Sequence, residues 1–443
     1  MMQRRGTPPS PKRTSGAGAR GVADARDSGN RRIWILNHYA TPPNRPGLTR
    51  HYDFGAQFVD RGHDVTIFAS GFSHATLRDE APTSGRRMAI EDAAGVRFVW
   101  LRTLAYTSNS PRRVLNMLDY ARRMLQVQHR FPKPDVVVGS SVHYAAAFAA
   151  YLISRLRRAT FVFEVRDLWP QTLIDAGALR QRGIPARLLR VLERFLCRKA
   201  TAVVCVLPGA EAYFTAQGVP PEKIVYVPNA PPARPRGATV LAEETLALLG
   251  QLNALRERGV RMAGYTGAHG RANGIETLID AAEALRRRGV DDLALVLIGA
   301  GPTKPACVEL ARARGLDNVL FADPVPRADI PAVLDVLDVT ICTLRPSLVH
   351  QYGISMNKIF SYLSSGRPAL FVGVAANPIQ AAGAGLSVPP DDPERVADAL
   401  VQLASLSPGE CRELGERGQR YVREHHDIER LAERFLSAVV PAT

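Results

Sequence analysis

The sequence predicts an α/β protein made of two doubly wound parallel sheets, and three observations support this prediction. Short apolar segments alternate with amphipathic helical patterns in both halves of the chain, as parallel βαβ units require. A stretch rich in Pro and Gly, residues 231–238, interrupts every periodic pattern between the two halves. The length of 443 residues exceeds what one ordinary hydrophobic core accommodates.

The first half opens with a βαβ unit: a strand over 33–36, a helix carrying Phe54 and Phe58, and a strand over 65–69. Gly47 alone lies in the first strand-to-helix loop, so the spaced glycine triplet of nicotinamide-binding domains is missing. After a polar stretch at 83–92, the alternation continues. Further strands are expected at 96–101, 135–138, 160–163 and 202–206, and helices at 112–128, 144–156, 186–199 and 209–217.

The second half repeats this pattern from residue 262 onward. A Gly-rich loop, 264–274, joins the first strand to an amphipathic helix, and a later helical pattern ends at Gly366, a typical C-cap. Further strands are expected at 293–298, 319–321, 339–342 and 369–372, and helices at 275–286, 305–314, 329–334 and 356–365. We expect a tail at 1–30, domains at 31–230 and 261–425, a linker at 231–260 and a C-terminal helix at 426–443.

The net charge of +15 is concentrated in the first half. Through Arg236 there are 36 Lys and Arg against 17 Asp and Glu, a balance of +19, whereas the remainder carries −4. Such asymmetry indicates an anionic neighbour, namely nucleic acid, an acidic membrane surface or anionic small molecules, although a GC-rich genome also produces Arg-rich sequences. No apolar run is long enough to span a membrane, and five scattered cysteines suggest neither a disulfide framework nor a metal cluster.

Two stretches of the second half suit a phosphate. In 353–368, small residues precede a helix whose first turn carries Lys358, so free backbone amides and a positive charge meet at one point. In 264–274, four glycines allow close approach of the backbone to an anion, and Arg271 adds a fork-shaped donor. The alternative interpretation is that Lys358 is a solvated lysine on an ordinary surface helix.

Polar residues follow the strands of the first half, where ligands of doubly wound sheets bind. They include Asn37 and His38, then Ser140, Ser141 and His143, and finally Glu164, Arg166 and Asp167. Three charges at the end of an apolar strand must pair or meet a ligand, because an isolated buried charge is costly. A purely structural Glu–Arg–Asp network remains the alternative.

These stretches together resemble glycosyltransferase family 4, whose two facing Rossmann-like domains form the GT-B fold. The resemblance spans residues 31–440 and is carried by segments 264–274, 297–302, 317–319 with Pro326, and 354–368. Segments 46–51, 62–66 and 163–170 are similar to the branch that adds N-acetyl-L-fucosamine and related amino sugars in O-antigen and capsule synthesis. Ser361 stands where the family usually has a ribose-binding Glu; Ala268 and Asn273 replace frequent basic residues, and Leu48 replaces a second Gly.

The resemblance and the residue chemistry together give the candidate site. The expected catalytic residues are Lys358, Arg271, His143 and Asp167. The expected donor-binding residues are Gly267, His269, Gly270, Asn273, Gly299, Gly301, Gly353, Ile354, Ser355, Asn357 and Ser361. On the acceptor side we expect Gly47, Arg50, His51, Glu164 and Arg166. The fold also implies that the C-terminal helix crosses back to the first domain.

The resemblance implies a retaining transfer of a sugar, without a metal or other cofactor, from a nucleotide diphosphate sugar that we expect to be a UDP-linked amino sugar. The acceptor is expected to be lipid-linked or a saccharide, in cell-surface polysaccharide synthesis. We expect a cytoplasmic enzyme, peripheral at the anionic inner face of the membrane. A nucleotide-sugar 2-epimerase of the same fold is the alternative; a nucleic-acid-binding protein is disfavoured, because the basic residues are not interleaved with aromatics.

Overall fold

The computed structural model describes residues 29–440 except 46, 75, 82, 84, 108–109, 142 and 232–239. The predicted tail at 1–30 lies outside the described residues apart from its last two, and so does the centre of the predicted linker. Residues Arg31–Thr443 form one compact unit. Within it, two parallel sheets, each with helices packed on it, make up a first and a second lobe.

The described residues of the first lobe form ten strands and six α-helices. The strands are β1 (Arg32–Leu36), β2 (Asp64–Ser70), β3 (Phe72–Ser73), β4 (Arg78–Asp79), β5 (Met88–Ala93), β6 (Val96–Leu101), β7 (Val136–Ser140), β8 (Thr160–Val165), β9 (Ala202–Cys205) and β10 (Ile224–Tyr226). The helices are α1 (Arg50–Asp60), α2 (Pro111–Val127), α3 (Tyr144–Arg157), α4 (Gln171–Asp175), α5 (Ile184–Lys199) and α6 (Ala210–Thr215). Eight strands form one sheet in the order β10-β9-β8-β7-β1-β2-β6-β5, parallel except for β5 against β6.

The apolar strands of this sheet are explained by burial on both faces. Successive residues of a strand point to opposite sides. In β1, Trp34 packs with Phe68 and Tyr120 on the side of α2 and α3, whereas Ile33 and Ile35 pack on the side of α1. Both faces therefore need apolar side chains, as the continuous hydrophobic runs of the sequence indicate.

The second lobe begins with a helix that was not predicted, α7 (Glu243–Glu257), inside the segment assigned to the linker. Its Leu248 and Leu252 pack against the second sheet. The strands are β11 (Arg261–Thr266), β12 (Leu293–Ile298), β13 (Val319–Ala322), β14 (Val339–Thr343), β15 (Ala369–Val372) and β16 (Gly385–Val388). The other helices of this lobe are α8 (Ile275–Arg287), α9 (Lys304–Ala313), α10 (Ile330–Leu334), α11 (Asn357–Ser365), α12 (Pro378–Ala382), α13 (Pro393–Ala404) and α14 (Pro408–His425), and they are followed by α15 (Ile428–Val439). The sheet is parallel throughout, in the order β13-β12-β11-β14-β15-β16.

The last helix, α15, lies on the first lobe. Asp427 caps its start by accepting a hydrogen bond from the Arg430 amide. Phe435 packs edge-to-face against Phe54 and Phe58 of α1, with ring centroids 5.3 and 5.5 Å apart. The chain therefore returns from the second lobe to the first around His426.

Candidate active site

A cavity of about 630 Å³ lies between the two lobes. Its walls come from the residues that follow β1, β8 and β9 in the first lobe and from the end of β11 and the start of α11 in the second. This is the edge of the sheets where doubly wound folds bind their ligands. The lining residues used below are His38, Tyr39, Gly47, His74, Arg113, Arg166, Asp167, Asn229, Gly267, Ser355, Asn357 and Lys358.

Lys358 is the cation of the second lobe that faces this cavity. Its Nζ donates to Tyr265 Oη at 2.6 Å and to Asn273 Oδ1 at 3.5 Å, and it lies 3.9 Å from the centroid of the Tyr265 ring. The Tyr265 hydroxyl donates to the Ala268 carbonyl, so its oxygen is free to accept from the lysine. Burial lowers the pKa of Lys358 to about 8. The sequence analysis did not identify Tyr265 as a partner of Lys358.

The surroundings of Lys358 leave room for an anion. The N-cap of α11, Met356, has no side-chain cap, so no side chain satisfies the amides of the first turn. Gly267 is needed beside the lysine, because a Cβ there would lie 2.7 Å from Lys358 Nζ. The positive end of α11, the ammonium and a bare backbone loop therefore meet at one wall of the cavity.

The other donor-side candidates fall into separate groups. Asn357 and Ser361 line a neighbouring cavity of about 270 Å³, together with Gly47, Gly267 and Arg327. A third cavity of about 520 Å³ is lined by Arg271 with the predicted residues Gly353, Ile354 and Ser355. Arg271 and Lys358, both expected to be catalytic, therefore line different cavities.

Two of the predicted donor residues, Gly299 and Gly301, pack tightly against the neighbouring loop, and Asn273 accepts a hydrogen bond from Lys358. A Cβ on Gly299 would lie 1.9 Å from the Gly267 carbonyl oxygen, and one on Gly301 would lie 2.4 Å from the His269 oxygen. His269 is fully buried. In the described part of the chain, none of the three cavities is lined by His269, Gly270, Gly299 or Gly301. In this structure these four residues are therefore not exposed to a donor in one of the cavities.

Three predicted acceptor-side residues are buried under the cavity. Arg50 Nε donates to Glu164 Oε1 at 2.9 Å, and the His51 ring lies 2.6 Å from Glu164 Oε2. Burial favours a raised pKa for Glu164, but His51 and Arg50 hold that pKa well below its usual range. The three side chains form a structural ion network and do not line the cavity, which corrects their assignment to the acceptor site.

His143 is also displaced from its predicted place. It caps α3, where Nδ1 accepts the Ala146 amide, so the ring proton sits on Nε2 and donates to His38 Nδ1 at 3.0 Å. Burial lowers the pKa of His143 to about 3, which keeps it neutral. His38, and not His143, lines the cavity, beside Tyr39 and His74. His143 therefore acts on the site through His38.

Asn229 joins the two lobes at the hinge. Its amide donates to Ser355 Oγ at 3.2 Å, and its Nδ2 donates to the Ser355 carbonyl at 2.6 Å. Its Oδ1 accepts from Arg50, and its carbonyl accepts from the His426 ring. His426 stacks on Phe360 of α11 with centroids 3.9 Å apart. The start of α11 is thus positioned from the first lobe as well as from the second.

In the described ranges, no three His, Cys, Asp or Glu side chains come together as a metal site. Among the helices that the structure describes, none combines the length and the apolar composition that crossing a membrane requires.

Comparison with known proteins identifies both lobes. Residues 48–230 match the Glycosyl transferase 4-like domain, and residues 261–405 match the domain described as Glycosyl transferases group 1. Both lobes are glycosyltransferase domains.

Three known proteins are similar in sequence to this glycosyltransferase. It is 24% identical over 255 residues to the probable glycosyltransferase WbjE of Pseudomonas aeruginosa, covering 56% of this chain but only 60% of that relative. It is 24% identical over 305 residues to the putative colanic acid biosynthesis glycosyl transferase WcaI of Escherichia coli, covering 66% and 72%. It is 27% identical over 281 residues to an alpha-D-kanosaminyltransferase of Streptomyces kanamyceticus, covering 60% and 68%.

Solved structures confirm the predicted GT-B fold of the glycosyltransferase. Sucrose-phosphate synthase of Thermosynechococcus elongatus superposes with a TM-score of 0.66 at 17% identity, covering 91% of this chain and 97% of the other. Anabaena HepE in complex with UDP-glucose superposes with a TM-score of 0.61 at 14% identity, covering 93% and 100%. At these sequence identities, the structural similarity is evidence for the fold alone.

Proposed function

We propose that the protein transfers a sugar from a nucleotide diphosphate sugar, with retention of configuration, to a lipid-linked or saccharide acceptor in cell-surface polysaccharide synthesis. The observation that carries this proposal is the position of Lys358. Its ammonium, the uncapped start of α11 and the Gly267 loop converge on the cavity between the lobes. Loss of a nucleotide from a sugar places negative charge on the leaving diphosphate, and these groups stabilise such charge.

The donor is expected to be a UDP-linked amino sugar. With the diphosphate at the start of α11, we expect the nucleoside in the smaller cavity beside Lys358, which is lined by Asn357, Ser361 and Arg327. A structural neighbour binds UDP-glucose, and one relative is described as transferring kanosamine, an amino sugar. Because Lys358 and backbone amides supply positive charge, we expect the reaction to need no metal ion.

The acceptor is expected against the first lobe. His38, Tyr39 and His74 supply an aromatic wall there, and Arg166 and Asp167 supply charge opposite Lys358. One relative, described as a putative colanic acid biosynthesis glycosyl transferase, supports a cell-surface saccharide product. With lipid-linked acceptors in mind, we place the enzyme in the cytoplasm, peripheral at the anionic membrane face.

Thermal unfolding with UDP tests the donor site first. A ligand at a hundred times its dissociation constant stabilises the folded state by about 2.7 kcal/mol, so UDP should raise the melting temperature and oligonucleotides should not. Lys358→Met keeps the side-chain length and removes the charge, whereas Lys133→Met is a matched control on an exposed surface. The first should abolish most of the UDP shift and the second should leave it unchanged.

The same variants test catalysis once a donor and acceptor pair is found among nucleotide sugars and lipid-linked saccharides. Lys358→Met should lower turnover about a hundredfold or more, as loss of a transition-state contact does. UDP affinity of the natural protein should also fall as the pH rises through about 8, where Lys358 loses its proton. Unchanged turnover and a pH-independent UDP affinity in that range would remove Lys358 from the mechanism.

A further inference from the structure

Helices α2, α3 and α5 cover one side of the first sheet, and α3 contacts both of the others. Their inner residues fill the core, but their outer surfaces carry large apolar side chains that no other described part of the chain covers. Ile184, Leu188 and Val191 form one ridge along α5 and are 72, 63 and 63% exposed. We call the outer surface of these three helices the apolar-basic face. Its exposed large apolar residues are Val114, Leu115, Leu118, Phe148, Leu156, Ile184, Leu188 and Val191.

The charge of the apolar-basic face is almost entirely positive. The three helices contain 11 Lys and Arg residues and two acidic residues. Of those two, Glu193 is fully buried, and Asp119 is already paired with Arg122 and Arg123 at 2.6 and 2.7 Å. The outer surface therefore offers no free carboxylate to a partner.

The basic side chains of α5 flank the apolar ridge. Arg187, Arg194 and Arg198 are exposed beside it, and within the described residues no salt bridge joins them to an acidic side chain. The second lobe differs in this respect: Arg288 at the end of α8 bonds Glu394 and Asp398. The arginines of α5 are thus free to meet anions outside the chain.

We propose that the apolar-basic face docks on an anionic lipid membrane. Aliphatic residues that enter the acyl boundary, flanked by cations that reach the phosphates, are the pattern of an interfacial helix. The energetic centres of protein–protein interfaces are enriched in Trp and Tyr, whereas the α5 ridge is purely aliphatic. The inference rests on the proposed peripheral location and adds the surface that makes the contact.

The position of α2 indicates how docking on the membrane would serve the transfer reaction. Arg113 lines the large cavity, and its neighbour Val114 is 55% exposed on the apolar-basic face. A membrane against this face therefore lies at the acceptor end of the cavity. A lipid-linked saccharide could enter while its lipid stays in the bilayer.

Co-sedimentation with vesicles tests the inference. The full chain should bind vesicles of phosphatidylcholine containing phosphatidylglycerol, and binding should weaken as salt is added. Leu188→Glu with Val191→Glu should lower the partition coefficient about tenfold or more. Each change removes an apolar side chain that would enter the bilayer and adds a negative charge that the anionic lipids repel. Arg187→Glu with Arg198→Glu should have a similar effect. Leu246→Glu, on the exposed side of α7 in the second lobe, should have none.

The outcomes separate this inference from the proposed function. Melting temperatures with UDP, measured on the same variants, report the donor site without a membrane. A normal UDP shift together with vesicle binding that neither pair of substitutions alters would overturn the docking face alone. Equal binding to pure phosphatidylcholine would overturn it as well. If the substitutions instead abolish self-association in the absence of vesicles, the face is a contact between copies of the chain, and the membrane proposal is wrong.

Discussion

Glu193, fully buried under α5, carries a prediction that can be worked out from its contacts. Tyr144 Oη lies 2.8 Å from its Oε1, and Tyr213 Oη donates to its Oε2 at 2.9 Å. Tyr144 Oη also contacts the Trp169 carbonyl, which can only accept a hydrogen bond. One hydroxyl proton cannot serve both oxygens. Below about pH 7 Glu193 is protonated, and its proton can then be donated to Tyr144 Oη while the Tyr144 hydroxyl donates to the Trp169 carbonyl.

The pKa of Glu193 determines the direction in which the free energy of unfolding changes with pH. Burial raises the pKa of Glu193 from 4.5 to about 7. Between these values the folded state holds a proton that the unfolded state has lost, so the free energy of unfolding falls as the pH rises. The stabilisation by this proton is fully present below pH 4.5 and is lost as the pH rises through about 7. At 1.36 kcal/mol per pKa unit, the loss amounts to roughly 3 kcal/mol.

Glu193→Gln makes the neutral state permanent, because its amide can donate to Tyr144 while its carbonyl accepts from Tyr213. Denaturant unfolding at pH 5 and at pH 8 measures the difference between variant and natural protein. The variant should be similar in stability at pH 5 and more stable by up to roughly 3 kcal/mol at pH 8. The exposed Glu211→Gln serves as control and should change stability by less than about 0.5 kcal/mol at either pH. A difference for Glu193→Gln that is equal at both pH values would refute the protonated carboxyl.

Two further predictions concern packing. Gly299→Ala should cost roughly 1–3 kcal/mol and remove the UDP-induced shift in melting temperature, because its Cβ would displace the Gly267 loop; Gly250→Ala, with open space around it, is the control. A retained UDP shift in Gly299→Ala would mean that the loop adapts. Phe435→Ala should cost about 3–5 kcal/mol in chemical unfolding, since the ring is buried against two phenylalanines of α1. A cost below about 1 kcal/mol would show that α15 does not stabilise the first lobe.

Much of the fold could be predicted because its strands are buried on both faces. Continuous apolar runs such as 33–36 and 293–298 are typical of strands that are buried on both faces of a parallel sheet. Strand β5 was missed because its residues are only partly covered, so that Glu91 and Asp92 interrupt the apolar pattern. Helix α7 was missed because it buries few residues, chiefly Leu248 and Leu252, beside a Pro-rich break.

The site was predictable only in outline. That Lys358, Gly267 and Asp167 face one cavity follows from the rule that ligands meet the carboxyl ends of parallel strands. The rule cannot say which polar side chains turn inward. Arg50 meets Glu164 across 114 positions of sequence, and such a pairing leaves no local signal. Tyr265 escaped notice for the same reason, since its partner Lys358 is 93 positions away.

The hydrogen bonds of Asn229 have a thermodynamic consequence for any ligand held between the lobes. Arg50 ties Asn229 to the first lobe, so separating the lobes must break both bonds to Ser355, at a net cost of about 1–3 kcal/mol. A ligand that touches both lobes then binds an arrangement that the empty protein already favours. Removing these bonds would populate open forms and weaken the apparent affinity in proportion to the population of those forms. The affinity of the cavity is therefore set in part by a residue whose own bonds join protein to protein.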